Sequence, residues 1–148
     1  MYVKRLANIL GYAGLIPFIV FSVLSVVDFK SVIDPHLYLT TYAAIILSFM
    51  GAIHWGVAMV SEDTLSARQL GISVIPPLLG WIALLLPTVY GYSLLIISFS
   101  LLCMLDKHYH MQKAFPAWYY PMRVILTSIV VLCLILAAIS IGPNGYTA

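Results

Sequence analysis

The chain has 148 residues, of which 63% are hydrophobic and 8% charged, with a formal net charge of +2 and a mean hydropathy of +1.05. A soluble domain carries about 25% charged residues, so this composition cannot cover a water-facing surface, and its apolar runs leave no room for a large extramembrane domain. The seven Lys and Arg residues are scattered, which excludes the concentrated basic face that nucleic acid requires and leaves membrane lipids as the expected surroundings.

Five apolar segments approach or exceed the length needed to cross about 30 Å of hydrocarbon as helix. They predict an all-α, multi-pass membrane bundle forming one domain over residues 1–148. The first runs from about Leu6 to Val27. Lys4 and Arg5 ahead of it resemble the start of a signal peptide, but the apolar run outlasts an h-region and no A-x-A-like site closes it. It therefore reads as the first span.

The second segment, Leu37 to Val60, is the most informative. Sorted in 100° steps around a helix, its residues fall on three sides. Tyr42, Ile45, Ile46, Phe49, Ile53 and Val60 share a bulky side suited to lipid tails. Ala44, Ser48, Ala52 and Gly56 repeat every fourth residue, a small-xxx-small row that predicts a helix-packing seam. His54 lies on the third side with Ala43, Leu47, Gly51 and Ala58, about 120° from the bulky face, and so points into protein. It sits roughly 9 Å of helix rise from the end of the span. An imidazole at that depth needs a partner, because an unpaired polar group in hydrocarbon costs several kcal/mol. Three uses stay open: a packing hydrogen bond to a neighbouring helix, contact with a proton or substrate, or ligation of haem or metal. Haem held by two histidines would need a second membrane-embedded His, and none is expected.

The third segment runs from Leu70 to Pro87. Its paired Pro76 and Pro77 remove backbone donors and predict a kink, with a possible cavity near Trp81. Thr88 and Val89 join it to the fourth, Tyr90 to Leu105, as a tight hairpin. Cys103, and Cys133 further on, lack CxxC spacing and read as small buried hydrophobes. Asp106 closes the fourth span. The connection KHYHMQKAFPAWYY (107–120) sets five aromatics among basic residues and is expected along the membrane surface. Its His108 and His110 supply two ligands, which do not make a metal site. The fifth segment, Pro121 to Ile141, opens with Arg123.

Lys4, Arg5, Arg68, Lys107, Lys113 and Arg123 fall on one side of this arrangement and Lys30 alone on the other. The positive-inside rule then puts the N-terminus inside and the C-terminus outside. His54, Asp106 and Arg123 gather toward the inner leaflet, with Glu62, Asp63 and Arg68 in the adjoining loop and Gly11, Tyr12 and Gly14 in the first span. Two readings follow. One is a pocket open to the cytoplasm, with Arg123 for an anionic head group and His54 for a proton. The other is an Asp106–Arg123 ion pair pinning the last two helices, its ends snorkelling to water. The outer side offers little to bind.

The helices hold no Ser/Asp or Asp/Asp pair, zinc motif or nucleophile with its base, so no catalytic residue, metal or cofactor is predicted. Little soluble mass and a packing seam suggest an accessory, assembly or stabilising component of a larger inner-membrane complex, partnered by another membrane protein or a second copy. The alternative is a lipid, quinone or small-anion binding or transport protein with its pocket around His54 and Arg123.

GLIPF (14–18), SFMGAIHWG (48–56), VIPPLLGWIALLLP (74–87), Asp106 and PAWYYPMRVILT (116–127) together resemble a domain-of-unknown-function family. That family comprises small bacterial and mitochondrial inner-membrane proteins and includes transmembrane protein 69. The resemblance covers nearly the whole chain in order. It implies His54, Trp55, Asp106, Trp118 and Arg123 as the residues to watch, and a bacterial plasma membrane or mitochondrial inner membrane as the location. It implies no reaction.

Overall fold

In the computed structural model, residues 2–27, 34–60, 64–111 and 115–141 are described, and all of them are helix or short connection. Lys30, Glu62, Asp63 and Lys113 lie outside these residues, as does the side chain of His110. The helices are α1 (Tyr2–Ala13), α2 (Ile16–Val26), α3 (Pro35–Val60), α4 (Thr64–Ser73), α5 (Ile75–Leu85), α6 (Thr88–Met111) and α7 (Tyr119–Ser140). They make up five lengths long and apolar enough to cross a membrane: Tyr2–Val26, Pro35–Val60, Ala67–Leu85, Thr88–His108 and Tyr119–Ser140.

Proline decides where two of these spans are interrupted. A proline has no N–H to donate and its ring collides with the carbonyl four residues back, so a helix stops there. Pro17 reaches back to Ala13, where α1 ends, and Pro77 reaches back to Ser73, where α4 ends. In both spans the new helix restarts with proline in its first turn, a position that needs no donor. The kink expected from Pro76 and Pro77 is therefore present. The first span, expected to be continuous from Leu6, starts at Tyr2 and breaks at Gly14–Leu15. Tyr42 of α3 donates its hydroxyl to the Gly14 carbonyl at 3.0 Å, which supplies this break with a partner inside the bundle.

The other boundaries shift for readable reasons. Thr88 and Val89 belong to α6, so the hairpin before it turns on Leu86 and Pro87. The helix of the fourth span, α6, does not end at Asp106. It continues to Met111, which leaves Asp106 embedded in helix.

The core runs along α6, whose Tyr92, Leu95, Phe99 and Leu102 share one buried face with α3's Leu39, Ala43 and Leu47. Phe18 of α2 meets Tyr42 and Phe99 edge-on. Ser22 of α2 donates to the Cys133 carbonyl of α7 at 2.9 Å, a cross-helix bond that ties the first span to the last. Cys133 is a buried free thiol and Cys103 a partly buried one.

The tight side of α3 is the side that carries His54. A Cβ on Gly51 would stand 2.7 Å from the Ser73 carbonyl oxygen, and one on Gly80 would stand 3.0 Å from the Ala44 carbonyl oxygen. The third span thus packs its break against Gly51. Of the row Ala44, Ser48, Ala52 and Gly56, Ala44 is buried against Gly80, whereas Ala52 and Gly56 face outward, and among the described residues nothing lies within 4 Å of a Cβ on Gly56. Of the bulky side, Ile45, Phe49 and Val60 face outward as expected, whereas Tyr42 turns toward the first span.

Candidate functional site

Three spans bring one ionisable side chain each to a common buried point. His54 comes from α3, Asp106 from α6 and Arg123 from the second turn of α7, with relative exposures of 0%, 1% and 4%. Asp106 divides its carboxylate between the other two. Its Oδ2 accepts from Arg123 Nε at 2.7 Å, and its Oδ1 lies 2.9 Å from His54 Nε2. Asp106 therefore pairs with both. Their depth corrects the expectation that the Asp106–Arg123 pair snorkels to water. Breaking such a buried pair costs about 3–5 kcal/mol, because the surviving charge keeps its desolvation cost without its compensation.

The segment before α7 closes the site from one side. Phe115 stands edge-on to the His54 ring with centroids 5.6 Å apart, and Tyr119 stacks on Phe115 at 4.6 Å. Two aromatics of the connection expected along the membrane surface, Phe115 and Tyr119, are buried against protein. Trp118 packs against them, half-buried, while Lys107 and His108 are exposed. Tyr119, one turn before Arg123, brings its hydroxyl near the guanidinium.

Two further polar groups at the site are left unpaired among the described residues, one on a residue that the sequence analysis passed over and one on a residue that it named. Gln69 of α4 is buried, its Nε2 without a partner among the described residues. It lies one turn from Ser73, and His54 lies about one turn from Gly51 on the antiparallel α3, so both sit on the side where these helices touch. A third span drawn from Leu70 leaves Gln69 out; a lone amide at the lip of an apolar run was the available signal. The second group is Arg123 Nη2, which is buried and has no hydrogen-bond partner among the described residues.

Arg123 also forms part of the wall of an apolar cavity of about 370 Å³ between the first, second and fifth spans. Gly11, Gly14 and Phe18 line it from the first span, Ile46 and Met50 from the second, Met122 and Leu126 from the fifth. Leu10 and Phe49 on its rim face outward, so the cavity opens laterally between the first two spans. Neither His54 nor Asp106 is among its walls. The α1 side is thinly held, since α1 buries no residue. Trp55, singled out with His54, faces outward and donates its indole N–H to Met59 Sδ at 3.0 Å. A second cavity, of about 400 Å³, lies beside the proline break of the third span against α6, lined by Pro76, Leu79 and Ser98. Trp81, where a cavity was expected, is exposed and is not among those walls.

Far along the same buried face of α6, Tyr92 places its hydroxyl 3.1 Å from His36 Nδ1. Asp34 Oδ1 accepts the backbone N–H groups of His36 and Leu37 and so caps α3.

The chain belongs to the family described as protein of unknown function (DUF3429), whose model matches residues 3–139. It is 30% identical over 128 residues to Transmembrane protein 69 of Xenopus tropicalis, a match covering 85% of this chain and 51% of that protein. The chain thus spans about half the length of the curated relative it matches. No solved structure matches it.

Proposed function

We propose that this member of the family binds a small amphiphile, which enters from the lipid between the first two spans and rests its polar end on Arg123. The observation that carries this reading is a buried arginine on the wall of an otherwise apolar cavity. Ionisable groups inside a membrane are expensive and are kept at binding or transfer sites. A pair that only pinned two helices would be served as well by apolar side chains of the same volume. Small-molecule pockets run from about 300 to 1,000 Å³, and this one sits near the lower end, a size for a single chain or ring system.

Binding is favoured over conduction across the membrane. Tyr92 and Asp106 are about 21 Å apart along α6 by helix rise, and the buried face between them is Leu95, Phe99 and Leu102. Assembly into a larger complex, the reading that composition suggests first, rests on little soluble mass and the small-residue row of α3, neither of which points to a particular partner.

The exposed Lys4, Arg5, Arg68 and Lys107 share the end of the bundle that holds Arg123, and the Asp34 end has no Lys or Arg among the described residues. Under the positive-inside rule this supports an N-terminus in the cytoplasm, a C-terminus outside and a site in the inner leaflet. We assign the protein to a bacterial plasma membrane, with the mitochondrial inner membrane as the alternative.

The test compares solvent extracts of purified wild-type protein and Gly11→Leu by mass spectrometry. The added side chain would press on Leu126, already 3.0 Å from a Cβ at position 11, and fill the cavity. An amphiphile present near one per chain in wild type and depleted in the variant is the expected result. Equal extracts from the two proteins would contradict the reading.

A further inference from the structure

We infer that the head group held at Arg123 is an oxyanion, a carboxylate or phosphate ester carried on one apolar chain, and that His54 is the positioning residue that keeps the arginine open for it. This rests on the amphiphile-binding reading above and names the ligand class.

A carboxylate that meets an arginine side-on normally uses both of its oxygens, one on Nε and one on Nη2, and the planar fork is then filled. Asp106 fills only half of it. Its Oδ2 takes Nε at 2.7 Å, while Oδ1 is drawn 2.9 Å from His54 Nε2 and Nη2 is left without a partner among the described residues. His54 Nε2 and Nη2 compete for the same carboxylate oxygen, and Oδ1 stands at ion-pair distance from the imidazole without a hydrogen bond of good angle to either.

The packing explains why Oδ1 faces the imidazole. Its ring has no exposure, and Phe115 lies edge-on against it. Gly51, about one turn earlier on α3, lets the backbone of the third span approach so closely that the helix cannot roll. The imidazole is fixed by its surroundings, and Asp106 turns to meet it.

What remains is a buried, charged donor on a residue that walls the cavity. Leaving such a donor dry is costly, and an ionised oxygen satisfies it better than a neutral one. Beyond the Tyr119 hydroxyl beside Arg123, walls such as Ile46, Met50, Leu126 and Val130 are apolar and suit a hydrocarbon chain. The volume favours one chain over two.

The test uses Trp118, which lines the cavity, as a reporter. Trp55 and Trp81, both outward-facing, are replaced by Phe, and the full chain is placed in phosphatidylcholine nanodiscs at mildly alkaline pH. Three probes are added in turn: dibromostearic acid, dibromostearyl alcohol, and a lysophosphatidic acid bearing the dibromostearoyl chain. Saturable quenching of Trp118 by the two anionic probes is expected, with the alcohol about tenfold weaker. The tighter of the two anions identifies the head group. In His54→Leu, Asp106 closes on Nη2, so affinity for the anions drops about five- to tenfold while that for the alcohol stays unchanged. In His54→Gln, whose amide can donate to Oδ1, anion affinity returns to within about twofold of wild type.

Equal saturable quenching by acid and alcohol would leave the cavity reading standing and overturn the anionic head group. Quenching that never saturates with any probe would remove both. Unchanged anion affinity in His54→Leu would overturn the role of His54. Should that variant fail to fold, loss of anion binding in a folded His54→Gln would do the same.

Discussion

The two ends of α6 bury polar groups on the same helix face and treat them in opposite ways. At the Tyr92 end the contact is a hydroxyl against an imidazole, and the nearby carboxylate of Asp34 is spent on capping α3. At the Asp106 end two ionisable side chains from other spans converge on one carboxylate, and a guanidinium nitrogen is left over. The first arrangement is a lock in which the polar atoms answer one another. The second keeps a charge inside the bundle that the fold alone does not use. That difference separates a structural polar contact from a candidate site, and no motif does so.

The contrast can be broken or sharpened by substitution, read as shifts in unfolding free energy in mixed detergent micelles. The largest loss belongs to Asp106→Asn, which removes the counter-charge of Arg123 and should cost about 3–5 kcal/mol. Gly51→Ala comes next, at about 1–3 kcal/mol, because its Cβ would meet the Ser73 carbonyl oxygen at 2.7 Å and the helices must part. Tyr92→Phe deletes one hydrogen-bonding hydroxyl at the quieter end, a change worth about 0.6 kcal/mol inside a membrane. Gly56→Ala, with nothing within 4 Å, should stay within about 0.5 kcal/mol of wild type. If Tyr92→Phe cost as much as Asp106→Asn, the two ends would not differ in kind.

Much of this was legible in the residues. Five apolar lengths follow from hydropathy, and the inward direction of His54 follows from its sharing a helix side with Ala43, Leu47, Gly51 and Ala58, all buried. The break at Pro76 and Pro77 was visible because two adjacent donors are missing. The break at Pro17 has the same cause but only one proline to announce it, and an uninterrupted apolar run hid it. The small-residue row was only partly informative, because spacing counts candidates for close approach without saying which are met. Ala44 within the row and Gly51 outside it receive the third span, whereas Gly56 has no neighbour within 4 Å among the described residues.

The depth of Asp106 was hidden for a different reason. Hydropathy falls at Asp106–Lys107–His108, so the span seemed to stop there. The helix continues because Arg123 and His54, distant in sequence, make the carboxylate tolerable inside the bundle. Phe115 was missed likewise, since an aromatic beside lysines reads as an interfacial anchor until the ring it packs against is known. A pattern along one helix cannot show a contact made by three.

On the reading proposed above, an amphiphile occupies the cavity walled by Arg123. A fatty acid carrying a photoreactive diazirine on its chain, activated in membranes containing the wild-type protein and located by peptide mass spectrometry, tests this most directly. Adducts concentrated on Met50, Met122 and Leu126, and suppressed by excess unlabelled fatty acid, are the predicted result. Adducts spread over outward faces such as Trp81, Leu85 and Ile139, and indifferent to that competitor, would contradict it.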